Sequence, residues 1–472
     1  MSALRVSALG LGLFFLSLAA QLVACGGGGA STPAKPVEMV PIASIASSGP
    51  SADGGVALAA GLGGAGRDLV ESDDPDIRAM LKKLAVVRGL KPKKPVPGVE
   101  LGRKDLIAKI RGKVEREIPP EAIRREGDVM KLHGFIPPEM DYLDETMKLL
   151  EAQLAGFYEP KDGTMYIAGD MGEMNSTATL AHELVHALQD QYWDLKSRSD
   201  YKPGESDKQT ALACLAEGDA TSVMTDVILK RMKMTALDQS DADYEDQMRA
   251  SMNVGPSRKV PLAMRTSLVM PYVEGIKFVH ALRRAGGFTM VDSAWRDPPT
   301  STEQVMHIDK WRAREAPLAV KVPTAAALGA GFVLDQEDTN GELGLRTAYE
   351  EWTSRTDAAD LAAGWGGDRS ALYIHGEEVA SMTHVRYDQG ARPVNKLFET
   401  LVAGLTNKLG KPSVKRADFV CFERKDTGPL AVRFAGDDLA LSAGPARRTL
   451  TAWSSAARCA RADAWTREAL TP

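Results

Sequence analysis

Ala181-His182-Glu183-Leu184-Val185-His186-Ala187-Leu188-Gln189-Asp190-Gln191 is the stretch on which the reading of this chain turns. It contains the pattern HExxH. On an α-helix the two histidines, four residues apart, point the same way at about 6 Å, the separation at which two imidazole nitrogens share one metal ion. Glu183 lies about 100° round the same helix, where it can reach a metal-activated water. Ala181, Val185, Leu188 and Tyr192 form an apolar stripe beside the histidines, so the helix is expected to be packed, with its histidine face lining a cleft. Asn175 and Ser176, upstream, are good N-cap types. The alternative is a chance pair of surface histidines, and only 7 His occur among 472 residues.

Catalytic zinc takes three protein ligands and leaves a position open. Glu217 is the candidate third ligand. Ser206-Asp207-Lys208-Gln209 reads as a capping box, and the helix it opens carries Ala213, Glu217, Ala220, Met224 and Val227 on one face. A carboxylate interrupting an apolar stripe needs a counter-charge, which a metal or an arginine would supply. Gly218 leaves room for a second helix to approach closely. Asp190 and Asp219 are candidates to orient a ligand imidazole, the other reading being a solvated helix face.

The runs Ala155-Gly156-Phe157-Tyr158, Met165-Tyr166-Ile167, Ala181 through Gln191 and Glu217-Gly218-Asp219-Ala220 resemble a poorly characterised bacterial group of HExxH metallopeptidases of the gluzincin type. Pro299-Thr300-Ser301-Thr302-Glu303-Gln304-Val305-Met306-His307 and Gly364-Trp365-Gly366-Gly367-Asp368-Arg369 add to the resemblance, which covers residues 77–387. One departure is Ile308 after His307, where Pro is expected. The resemblance implies a zincin-like fold and peptide-bond hydrolysis. Zn²⁺ held by His182, His186 and Glu217 would activate water, and Glu183 would take its proton and pass it to the leaving amine. His307 and Tyr272 are the candidates for stabilising the oxyanion. The strand Thr164–Ala168 is expected to offer its edge to an extended substrate. His133, His280, His375 and His384 show no partner pattern and read as core or surface residues.

Around this centre the chain divides into four parts. Arg5 precedes a nearly unbroken apolar run at 6–20, and Leu22-Val23-Ala24-Cys25 resembles the bacterial lipobox, so residues 1–24 read as a lipoprotein signal peptide and Cys25 as the lipidated residue. An uncleaved membrane helix is the competing reading. Residues 25–74, rich in Gly, Ala, Ser and Pro, form a flexible tether with a reach of about 40 Å. The GxGxxG at 61–66 lacks the following helix and strand of a dinucleotide site. Residues 75–320 are expected to form the catalytic domain behind a helical lead-in with helices near 77–87, 104–117 and 142–155. A hairpin, 156–159 with 164–167, turns on Pro160-Lys161-Asp162-Gly163 and leads into the HExxH helix. Residues 321–472 read as α+β, with a helix near 342–353 and strand pairs 371–375 with 379–387 and 419–423 with 430–434.

Composition narrows the function. The 58 Lys+Arg against 63 Asp+Glu leave a net charge of -5, with no broad basic surface for a nucleic acid. No second apolar run approaches the length that spans a bilayer. Once Cys25 carries lipid, three cysteines remain and one is left free. Cys421 and Cys459 are placed to bridge in an oxidising envelope, and Cys214 reads as a buried thiol. The expectation is therefore an α+β, zincin-like zinc metallopeptidase. It would be anchored to the membrane through Cys25, in the cell envelope (outer membrane) or outside the cell, and would act on protein or peptide substrates. The alternatives are a catalytically silent envelope-binding lipoprotein with the same fold, and a hydrolase of a non-peptide amide.

Overall fold

The computed structural model describes residues 74–170, 173–322, 324–449 and 452–471. The signal peptide, Cys25, the tether and the glycine motif at 61–66 lie outside the described residues.

The first half is mostly helical. Helix α1 (Pro75–Arg88) starts on Asp74, whose carboxylate accepts the N–H groups of Asp76 and Ile77, and ends at Gly89 with φ 78°, a conformation that glycine adopts without strain. Strand β1 (Gly98–Leu101) and helices α2 (Arg103–Glu117), α3 (Pro120–His133) and α4 (Tyr142–Gln153) follow. Strands β2 (Gly156–Glu159) and β3 (Thr164–Ala168) make the expected hairpin, and β1 adds to β3 in parallel, giving the order β1-β3-β2. This corrects the expected substrate edge. Thr164–Ala168 is the middle strand with both ladder sides filled, so the outer ladder side facing the HExxH helix belongs to β2.

Helix α5 (Glu173–Trp193) carries HExxH and begins at Glu173, which places Asn175 and Ser176 inside it instead of capping it. After the single turn α6 (Leu195–Arg198) comes α7 (Ser206–Leu229), with Glu217 at its middle. The expected capping box does not form there. Ser206 N–H donates to Asp338 Oδ1 at 3.1 Å, and Asp207 Oδ1 accepts the N–H and O–H of Thr302 at 2.9 and 2.6 Å. The first turn of α7 is thus tied by tertiary contacts. Helix α8 (Asp241–Ser251) leads to α9 (Leu262–Arg296), which contains Pro271 and leaves helical geometry at Gly286 and Gly287. α7 and α9 cross backbone to backbone. A Cβ on Gly218 would lie 2.1 Å from the Gly275 carbonyl oxygen, and one on Gly275 would lie 2.1 Å from that of Cys214. The close approach expected at Gly218 is present.

Two short helices, α10 (Thr302–Met306) and α11 (Ile308–Ala313), lead to the C-terminal part. It comprises β4 (Val333–Asp338), α12 (Gly341–Glu350), α13 (Arg355–Ala362), β5 (Trp365–His375), β6 (Glu378–Tyr387) and α14 (Val394–Leu409). It continues with β7 (Val414–Lys415), β8 (Phe419–Phe422), β9 (Leu430–Ala435), β10 (Asp438–Arg448), β11 (Trp453–Ser455) and α15 (Cys459–Ala469). The expected pairs β5–β6 and β8–β9 are both present, and β10 pairs with β6 and β9 and so joins them. The result is an eight-stranded sheet in the order β4-β5-β6-β10-β9-β8-β7, with β11 on β10. A Cys421–Cys459 disulfide ties β8 to α15, and Cys214 is a buried free thiol. The fold is α+β with a helical N-terminal part. One apolar core includes Leu106, Tyr272, Trp365 and Trp453 and so runs across position 320; a second joins α1, the hairpin and α5. Among the described residues no helix is long and apolar enough to cross a membrane.

Candidate metal centre

α5 and α7 pack side by side and bring three donor atoms to one point. His182 Nε2 lies 3.0 Å from His186 Nε2 and 3.1 Å from Glu217 Oε2, and His186 Nε2 lies 3.5 Å from Glu217 Oε2. Zn–N and Zn–O bonds of about 2.0–2.1 Å in a tetrahedron put donors about 3.3 Å apart, so the triangle has the size zinc requires. His182, Glu183, His186 and Glu217 are each 1% exposed.

The protonation pattern follows from Gln189, one turn beyond His186. Its amide nitrogen donates to Ala216 O at 3.0 Å and Asp219 Oδ2 at 3.3 Å, both acceptors, so its oxygen must face His186 Nδ1, 2.9 Å away. Nδ1 therefore carries the proton and the Nε2 lone pair points at the other two ligands. The His186 lone pair, His182 Nε2 and a Glu217 carboxylate oxygen then meet, an arrangement that a cation would complete. Without one the site takes a proton. Burial opposes an imidazolium at His186, but Glu217 and Glu183 outweigh it and lift its pKa to about 9, while burial leaves His182 low, at about 4. Burial acts to raise the Glu217 carboxyl, yet His186 and His182 hold it below the usual range.

Glu183 is set by the hairpin. Its Oε2 accepts the Tyr158 N–H from β2 at 2.8 Å, and burial pushes its pKa up to about 8 against the pull of His186. The Tyr158 hydroxyl in turn donates to Asp190 Oδ2 at 3.0 Å, and Asp190 Oδ1 accepts the Lys196 N–H at 2.8 Å. Asp190, a candidate to orient an imidazole, instead accepts from Tyr158 and Lys196. It fixes the strand that fixes Glu183.

Asp219 reaches His186 only through Gln189. Its carboxylate is shared among Gln189, Trp295 Nε1 at 2.9 Å and Arg88 Nε at 2.7 Å. Arg88, buried at the end of α1 and also paired with Asp292 at 2.7 Å, was not anticipated, nor was Gln189. The arginine alternative for Glu217 thus falls on its neighbour: Asp219 has the arginine and Glu217 has the imidazoles. Gln189 had a signal in the sequence, since position i+3 from His186 shares its helix face; Arg88 had none.

Of the two oxyanion candidates, Tyr272 on α9 faces the centre, its ring 6.1 Å from that of His182. His307 does not. It bonds Glu342 at 2.9 Å and follows α10, whose Thr302 holds Asp207, about 15 Å along α7 from Glu217. The runs around Thr302 and Asp368 serve the scaffold. Leu343 N–H donates to Thr302 Oγ1, and Asp368 accepts the Asn340 and Gly341 N–H groups and Trp365 Nε1. The remaining histidines are structural: His133 bonds Val129 O, His280 bonds Asp241, His384 bonds Asp438, and His375 sits against Phe332.

A second group with metal-ligand spacing, Glu303, Glu315 and Asp388, surrounds Lys310 Nζ at 2.6, 2.5 and 2.6 Å. Its cation is built in. Comparison with family models, with curated proteins and with solved structures finds no match for this chain.

Proposed function

We propose that this chain is a zinc-dependent metallopeptidase of the HExxH, zincin-like kind, exported as a lipoprotein, held in the cell envelope through Cys25, and acting on protein or peptide substrates. The observation that carries the reading is the triangle of His182 Nε2, His186 Nε2 and Glu217 Oε2 at 3.0 to 3.5 Å. It offers three protein donors where a closed structural site would offer four. When bound, zinc supplies polarisation of a carbonyl and activation of water. The chain supplies the rest. Glu183, aligned by the Tyr158 N–H, receives the water proton and delivers it to the departing amine. Tyr272, whose ring lies 6.1 Å from that of His182, is the candidate hydroxyl donor to the negative charge that develops. The outer ladder side of β2 is the edge on which an extended peptide can align beside Glu183. With every member of the centre 1% exposed, a substrate enters only after its cover is displaced.

That burial also favours a second reading, a silent envelope-binding lipoprotein whose metal is structural. Glu183→Gln separates the two. In the full chain the metallopeptidase reading expects unchanged zinc content and hydrolysis of a peptide library reduced at least about 10²-fold. Undiminished hydrolysis overturns the role of Glu183. A zinc-loaded parent that cleaves no peptide supports the silent reading.

A further inference from the structure

α7 ends in a turn that the metal centre does not use. In Ile228-Leu229-Lys230-Arg231-Met232-Lys233-Met234 the residues Lys230–Met232 tighten into a 3₁₀ turn and Lys233 takes φ 57°. The N–H groups of Lys233 and Met234 donate to Lys230 O at 3.1 Å and Leu229 O at 3.3 Å, so the backbone closes on itself. Glycine is the residue that adopts such a φ freely, and here a lysine stands in its place. The turn is held at both feet by Leu229, 8% exposed, and Ala236, 1% exposed, while every residue from 230 to 235 is exposed. It is a formed projection.

Two features set its surface apart. Eight large apolar side chains are exposed among the described residues, and three of them, Ile228 at 37%, Met232 at 54% and Met234 at 39%, fall in this one stretch. Single exposed apolar residues are ordinary, whereas a cluster asks for a partner. Interleaved with them are Lys230, Arg231 and Lys233, none with a carboxylate partner among the described residues. No acidic residue occurs from 227 to 237, and the carboxylates on either side are engaged elsewhere. Asp226 pairs with Arg283 at 2.7 Å and accepts the Ala236 N–H at 2.7 Å, and Asp238 accepts the Thr235 N–H at 2.7 Å. The turn thus presents three cations and three apolar side chains together.

We propose that residues 228–234 dock on an anionic phospholipid surface, with Met232 and Met234 entering the boundary between headgroups and acyl chains and with Lys230, Arg231 and Lys233 at the phosphates. This rests on the envelope part of the proposed function and not on its zinc chemistry. Methionine is flexible and fills irregular apolar space, and lysine and arginine keep their charged ends at the phosphates while their stems follow apolar surface. A convex turn offers no pocket to the side chains of a protein partner, whereas a bilayer deforms around it. The anchor is connected to the same half of α7. α1, the first described helix after Cys25, packs on α7, and its Ile77 and Leu84 share a core cluster with Val223 and Met224, in the half of α7 that leads to the turn. The reach of about 40 Å expected between Cys25 and α1 lets the domain lie against the bilayer that holds the lipid. Glu217 lies about 18 Å along α7 from Leu229, so docking keeps the metal centre close to the membrane.

The test reads the turn in the full chain reconstituted with an excess of vesicles. Met232→Cys introduces a thiol for an environment-sensitive fluorophore; Cys421 and Cys459 are bridged, Cys214 is buried, and Cys25 is blocked when it carries lipid. On vesicles containing phosphatidylglycerol the emission is expected to shift to the blue and to be quenched about 2-fold or more by lipids brominated along their chains, as for a group at the headgroup boundary. Phosphatidylcholine vesicles are expected to give a smaller response, and a probe at Val333→Cys, on β4 and 57% exposed in the parent, none. Lys230→Glu, Arg231→Glu and Lys233→Glu together are expected to remove the response while the chain floats with the vesicles as before. A parent chain that takes up the fluorophore has a free Cys25, which contradicts the anchor and not the turn; its signal is subtracted from that of the probe at 232. A probe at 232 that stays in water on the anionic vesicles overturns the proposal, as does an equal response on phosphatidylcholine or in the charge-reversed chain. A shift that grows with protein concentration in the absence of vesicles assigns the turn to a second copy and overturns it too.

Discussion

Among the described residues two clusters gather three metal-capable side chains, and they differ in what stands at the middle. At Glu303, Glu315 and Asp388 the centre is the Lys310 ammonium, within 2.6 Å of all three carboxylates. At His182, His186 and Glu217 the donors face one another, and the hydrogen bond that Gln189 Oε1 accepts from His186 Nδ1 turns the His186 Nε2 lone pair inward. Proximity of ligand-type residues is common to both. Only in the second does a surrounding hydrogen bond turn a lone pair toward the other donors, which is the difference expected between a candidate metal centre and an ion-pair network.

Replacing the residue that aims the lone pair should break the contrast most. Gln189→Leu removes the acceptor at His186 Nδ1 and frees the ring to turn, so zinc affinity, read by competition with a chelator, is expected to fall about 10- to 100-fold with helicity retained. Unchanged affinity would mean that the imidazole is held by packing alone.

Removing the built-in cation of the other cluster is expected to do less. Lys310→Met leaves Glu303, 2% exposed on its side chain, beside two carboxylates that are 44% and 28% exposed and keep partial hydration. A destabilisation of about 1–2 kcal/mol is expected in denaturant melts, with no change in zinc content. Added Mg²⁺ should stabilise this variant more than the parent, because only the variant lacks its own cation there. An equal response in both proteins would show that Lys310 does not occupy the cluster.

The two clusters also differ in how legible they were. HExxH was readable because i,i+4 spacing on a helix is a local fact, and Glu217 because it breaks an apolar stripe within its own helix. The hairpin announced itself through Asp162-Gly163, and Cys421 with Cys459 through position. Partners supplied from a distance were not readable: Arg88 reaches Asp219 from α1, and Asp338 and Thr302 hold the start of α7 in place of the capping box. β10 escaped notice because Leu439-Ala-Leu-Ser-Ala-Gly-Pro445 has weak strand propensity, although its burial between β6 and β9 makes it the centre of the sheet. β1 escaped notice because four residues after a proline-rich stretch carry too little pattern. His307 was read as an oxyanion candidate from the run around it, whereas its side chain bonds Glu342.

The central claim is that His182, His186 and Glu217 hold one zinc ion, and metal content tests it most directly. The purified full chain is expected to carry about one zinc, and His182→Ala and Glu217→Gln, shown by circular dichroism to be folded, are expected to carry almost none, because two remaining donors are too few for a stable site. Asp219→Asn, which touches the ligand only through Gln189, should keep its zinc. Stoichiometric zinc in folded His182→Ala and Glu217→Gln, or its loss in Asp219→Asn alone, would contradict the account.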